Sequence, residues 1–152
     1  MNILLKIVII IAILIIGILL AVFVKKITEN DVNYAGPMLD KILTGIKNEN
    51  YYELLSDASS NMKNDFTEKK FNLMITLLNT KIGDYKTKIF NSATITHKNN
   101  NTLIVVTYNA KYSKNINDIK ITMTISDDNM KKRVEALIFN SSNLEKISFW
   151  KY

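Results

Sequence analysis

From Ile7 to Val24 the chain carries no polar or charged side chain, and this run constrains its folding more than anything that follows. Extending it back to Ile3 admits only Lys6. Wound as a helix at about 1.5 Å per residue, Ile3–Val24 reaches about 33 Å, enough to cross a bilayer core of about 30 Å. A cleaved secretory signal would show an apolar region of about 7–15 residues and then a small-residue cleavage site. Leu19-Leu20-Ala21-Val22-Phe23-Val24 offers no such site, and Lys25-Lys26 stops the run. The expectation is a single-pass signal anchor over residues 1–26, a transmembrane helix meeting the lipid bilayer through Ile7, Ile11, Leu14, Ile18, Ala21 and Val24. Lysines flank it on both sides, so the charge rule for orientation is nearly balanced. The very short N-terminal tail, and Glu29 and Asp31 soon after the run, favour a domain outside the cytoplasm.

What remains is one domain of ordinary size. The formal charge of +6 loses Lys6, Lys25 and Lys26 to the anchor, leaving seventeen basic against fourteen acidic residues. That mild, mixed balance is not the footprint of a nucleic-acid binder. Lys69-Lys70 and Lys131-Lys132-Arg133 have acidic neighbours and no interleaved aromatics. With no cysteine there are no disulfides, no thiol chemistry and no cysteine-ligated metal.

Residues 27–35 read as a polar linker, and 36–152 as the folded domain. Gly36-Pro37 opens a helix with Met38, Leu39, Ile42, Leu43 and Ile46 on one face. Asn50 and Glu53 form a capping pair for a short second helix carrying Tyr51, Leu54 and Leu55. Ser56 to Asn64 is polar, with at most a loose turn around Met62. Asp65 and Glu68 then cap a third helix with Phe71, Met74, Ile75 and Leu78 inward. Gly83-Asp84 stops it, and the apolar period changes from about 3.6 to 2. Four strands follow, near 85–96, 102–112, 119–126 and 132–139, separated by polar turns. The predicted fold class is α+β: the transmembrane helix, then three helices packed on a curved antiparallel sheet of about four strands.

That order of elements resembles the nuclear-transport-factor-2-like (cystatin-like cone) superfamily, in particular its small membrane-anchored domains of unknown function. The resemblance rests on Leu39-Asp40-Lys41-Ile42-Leu43 running to Tyr51-Tyr52-Glu53-Leu54-Leu55, on Phe66-Thr67-Glu68-Lys69-Lys70-Phe71, and on the turn Ile82-Gly83-Asp84-Tyr85. It implies a cone whose interior holds a catalytic acid–base pair, a ligand, or nothing but packing, and a sheet that often pairs with a second copy. The fold therefore implies no single activity.

A catalytic cone needs an inward carboxylate beside a hydrogen-bond donor. On simple alternation the cavity-lining positions are Ile89, Ile95, Val106, Tyr108, Ile121, Met123 and Ile138, and none is acidic. Asp40 falls on the flank of the first helix, Glu135 takes the opposite parity from Val134, and His97, the sole histidine, sits at a strand end. Neither a catalytic set, a cofactor motif nor a metal-ligand cluster emerges. The tail is unusual: Phe149, Trp150 and Tyr152 suit either a partner-binding strand or burial on the domain. The sequence thus points to a membrane-tethered, extracytoplasmic interaction or assembly module without catalytic activity or cofactor. Its expected partner is a second copy meeting it through the sheet, or another envelope protein. The alternative is a carrier or sensor holding a small apolar ligand in the cone. An isomerase- or dehydratase-type enzyme is the third reading.

Overall fold

The structure, a computed structural model, describes residues 27–98, 101–114, 117–128, 131–141 and 144–148. The apolar run therefore lies outside the described residues, as do Phe149, Trp150 and Tyr152. Among the described residues no helix is long and apolar enough to cross a membrane.

After a 3-10 turn at Asn30–Val32 come α1 (Ala35–Lys47), α2 (Tyr51–Leu54), α3 (Ser60–Asp65) and α4 (Glu68–Lys81). The first begins ahead of Gly36-Pro37; proline is tolerated there because a first-turn N–H has no partner within the helix. Its buried face is Ala35, Met38, Leu39, Ile42 and Leu43. The Asn50 side chain accepts from the Glu53 amide at 3.1 Å, capping α2. The segment expected as a polar loop instead forms α3, capped by Ser59 and pinned by the buried Met62. Thr67 rather than Asp65 caps α4, accepting from the Lys70 amide. Among the described residues there are thus four α-helices where three were expected after the apolar run. Gly83 has φ +75°, a left-handed turn suited to glycine. Asp84 amide to Ser113 Oγ and Lys114 amide to Ile82 carbonyl, both 2.9 Å, tie that turn to the sheet.

The sheet is an antiparallel meander of five strands, not four, in the order β1 (Tyr85–Lys98), β2 (Asn101–Tyr112), β3 (Ile119–Asp128), β4 (Lys131–Ser141) and β5 (Leu144–Ser148). Three irregularities decide which side chains face the helices. In β1 the pairing slips between Tyr85 and Thr87 and again between Phe90 and Ser92, leaving Lys86 and Asn91 as extra residues. In β4 Glu135 is extra, because Ile125 pairs with Val134 while Thr124 pairs with Ala136. Each inserted residue inverts the alternation beyond it. The edge of β4 left open before β5 begins is taken by Asp57–Ser59. There Val134 donates to the Asp57 carbonyl and its own carbonyl accepts from the Ser59 amide, each at 2.9 Å. Lys41 on α1 holds Asp57 at 2.9 Å.

The helices and the inner sheet face share one core, which includes Leu39, Phe71, Val106, Tyr108, Ile121, Met123 and Phe139. Tyr51, Phe66 and Phe71 form an aromatic knot under it, with ring centroids 5.8–6.5 Å apart. The Tyr51 hydroxyl donates to the Phe66 carbonyl at 2.6 Å.

Candidate functional site

The seven positions expected to line one hollow do not share a face. Val106, Tyr108, Ile121 and Met123 lie on the inner face at 1% exposure or less, packed as core. Ile89 is 64% exposed: it pairs with Asn109, and the extra Asn91 sets it on the face opposite Ala93 and Ile95. Ile95 keeps the inner parity, opposite the buried Ile104, yet is 52% exposed. Ile138 pairs with Thr122 on the outer face and is half-buried, since the Glu135 bulge hands the inner positions to Leu137 and Phe139. Glu135 itself accepts from the Ser126 hydroxyl at 2.6 Å.

The bulges bring inward two residues that alternation places outside, Lys88 and Phe90. The Lys88 ammonium pairs with the Asp40 carboxylate and stands 5.8 Å from the centroid of the Tyr108 ring. Phe90 meets the same ring edge-on at 5.9 Å. Asp40 thus holds a cation at the rim of the core, and its side chain remains 56% exposed. Lys88 was not legible as an inner residue, because a bulge at an ordinary asparagine leaves no mark on the sequence.

Two buried phenols, Tyr108 and Tyr112, have hydroxyls with no hydrogen-bond partner among the described residues. Burial, with smaller contributions from Glu29 and Asp40, pushes the Tyr108 pKa up to about 12. Burial raises Tyr112 as well, with Tyr85 adding to it. An unfolded chain ionises its tyrosines near pH 10, whereas folded Tyr108 keeps its proton until about 12. Its contribution to stability is therefore full below pH 10 and falls through pH 10–12, by about 3 kcal/mol at the limit. Urea unfolding across that range should show a steep alkaline loss that Tyr108→Phe makes shallower. At pH 7 the same variant should be equal to the native protein or about 1 kcal/mol more stable, because it removes a buried unpaired hydroxyl.

Among the described residues no group of three or more His, Cys, Asp or Glu could hold a metal. The side chain of His97 lies outside the described residues. The clefts sit at the periphery. One of about 390 Å³ opens beside Leu43, Leu78, Tyr85 and Tyr112, where α1 and α4 end. One of about 340 Å³ lies between the α2–α3 turn and β4. A third, about 440 Å³, is a shallow groove over Leu73 on the exposed side of α4.

The outer sheet face has a consistent chemistry. Leu103, Val105, Thr107, Thr122, Thr124 and Ile138 are each half-buried there, forming an apolar and hydroxyl-bearing patch across three strands. The Thr107 and Thr122 hydroxyls approach to 3.3 Å across the middle of it. Such a surface can bury apolar area against a partner without stranding a charge.

A family described as a protein of unknown function, DUF3887, matches residues 40–132, from within α1 to the start of β4. No curated protein matches the chain.

Proposed function

The chain belongs to the DUF3887 family, and we propose that it is a non-catalytic interaction module that pairs with a second copy of itself through the outer face of its sheet. The observation that carries this reading is the half-buried patch of Leu103, Val105, Thr107, Thr122, Thr124 and Ile138, set behind a sheet whose inner side is already filled by core. Half-buried β-branched and leucine side chains on a solvent-facing sheet gain about 25 cal/mol per Å² when a partner covers them. Lysine is sparse at the centre of the patch, as in the cores of real interfaces. Pairing through this face is also what a cone of the nuclear-transport-factor-2-like kind would do, and helices laid on a bulged antiparallel meander support that finer assignment. The apolar run Ile3–Val24 supports a tethered module, and Glu29 and Asp31 soon after it favour one facing out of the cytoplasm. Tethering favours weak pairing, since two copies on one surface meet at raised effective concentration. A carrier role would need room inside, where Val106, Tyr108, Ile121 and Met123 already fill the space.

Sedimentation equilibrium of the full chain in detergent micelles tests the proposal. The native chain should sediment as a dimer, and Val105→Lys, which places a charge in the patch, should give the monomer with unchanged helix content. A native chain that stays monomeric at every concentration would overturn it.

A further inference from the structure

The cleft between the α2–α3 turn and β4 is lined mainly by hydroxyls and cations. It is lined by Ser59, Ser60, Lys63, Ser126, Lys131, Arg133 and the carboxylate of Glu135, and holds about 340 Å³. Three cations and one carboxylate thus line the same cleft, and that carboxylate already accepts from Ser126 at 2.6 Å. Three lysines elsewhere on the domain are ion-paired: Lys41 with Asp57, Lys88 with Asp40 and Lys132 with Asp127. Among the described residues Lys63, Lys131 and Arg133 make no ion pair. Ser59 is 8% exposed, and its oxygen accepts the Met62 amide, so its own hydrogen remains free to be donated. The wall is rigid, because Asp57–Ser59 is pinned to Val134 by two backbone hydrogen bonds of 2.9 Å.

We infer that this cleft binds a phosphate ester, with Arg133 as the planar two-pronged donor, Lys63 and Lys131 as flanking charges, and the Ser59 and Ser60 hydroxyls completing the shell. A guanidinium fork matches two phosphate oxygens in a way that a lysine point charge does not. The volume admits a phosphate carrying a group of about glycerol size. Two sources share that chemistry, a soluble phosphate ester and a phospholipid headgroup. The second is close at hand if the chain is tethered, for Lys132, on the same hairpin, stands 5.3 Å over the ring of Tyr34, where the chain enters the domain. The inference does not depend on pairing of the sheet.

The test uses the full chain in neutral detergent micelles, with amide spectra followed as glycerol phosphate is added, and separately as phosphatidylglycerol is added to the micelles. Saturable shifts are expected at Ser59, Ser60, Ser126 and Arg133. Arg133→Gln and Lys63→Gln should each weaken binding about tenfold or more, as loss of a charge-assisted hydrogen bond does. Arg133→Lys keeps the charge but loses the fork, and should fall between them and the native chain. The double variant Lys69→Gln, Lys81→Gln removes charge from α4 and should leave the affinity within about twofold, since exposed charges remote from the cleft are screened. A response to glycerol phosphate identifies a soluble ester as sufficient, and a response to phosphatidylglycerol alone identifies the headgroup. No saturable shift with either probe, or equal weakening by the α4 variant, would overturn the assignment.

Discussion

Gly45→Ala should destabilise the domain by about 2–3 kcal/mol, although alanine is the better helix former. A Cβ at Gly45 would lie 2.5 Å from the Leu54 amide nitrogen, 2.9 Å from its Cα and 3.1 Å from the Asn50 carbonyl oxygen. These are backbone atoms and cannot rotate away. The backbone contact is also functional in the local fold: Asn50 donates to the Gly45 carbonyl at 2.8 Å, turning the chain from α1 into α2. Relieving the clash means separating the two helices, and overpacking of this kind costs about 3 kcal/mol or more when the surroundings are backbone. Replacing a mid-helix glycine by alanine returns about 1 kcal/mol of propensity. The signs oppose, so urea unfolding distinguishes them cleanly. A variant more stable by about 1 kcal/mol would mean that α1 and α2 do not touch as described.

Phe71→Ala should have the larger effect, a loss of about 3–5 kcal/mol. Its ring is 2% exposed and sits edge-on to both Tyr51 and Phe66, at 5.8 and 6.5 Å. Truncation removes two ring contacts and opens a cavity where α2, α3 and α4 meet. A domain of this size is stable by about 5–15 kcal/mol in all, so the variant should be largely unfolded well before the native protein on heating. Leu73→Ala, two residues along the same helix, is the control. Leu73 is 57% exposed, and its truncation should change stability by no more than about 0.5 kcal/mol. Equal effects at the two positions would invert the face assigned to α4.

Much of this packing is legible without coordinates, because helical faces write themselves at every third or fourth residue. Met38, Leu39, Ile42 and Leu43 of α1, and Phe71, Met74, Ile75 and Leu78 of α4, are buried where the period places them. The Asn50–Glu53 cap and the Gly83 turn also carry plain chemical signals. Other features have none. α3 is six residues long, mostly polar, and exists because Ser59 caps it and Met62 plugs the core. The Asp65–Glu68 spacing suggests a cap two residues too early, and the chain path selects Thr67 instead.

The strands are harder still, because a period of two is counted along one strand while facing is decided by pairing with its neighbour. Lys86, Asn91 and Glu135 are ordinary residues, yet each shifts the register by one. That is why Ile89 and Ile138 were placed inside and Lys88, Leu137 and Phe139 were not. Of the outer patch, Leu103, Val105, Thr107, Thr122 and Thr124 follow simple alternation, and only Ile138 is added by the Glu135 shift. The fifth strand, Leu144–Ser148, lies beyond the four expected, since its short polar run does not establish a period.

The absence of cysteine gives the most direct measurement of the pairing proposed for the sheet. Thr107→Cys places a unique thiol at the middle of the outer face, and Asn72→Cys places one on the exposed side of α4. Each full-length variant is treated in its membrane or micelle with a short bismaleimide. Covalent dimer from Thr107→Cys, none from Asn72→Cys, and its loss when Val105→Lys is added are the results predicted. Monomer from Thr107→Cys, or equal crosslinking at both positions, would contradict the account.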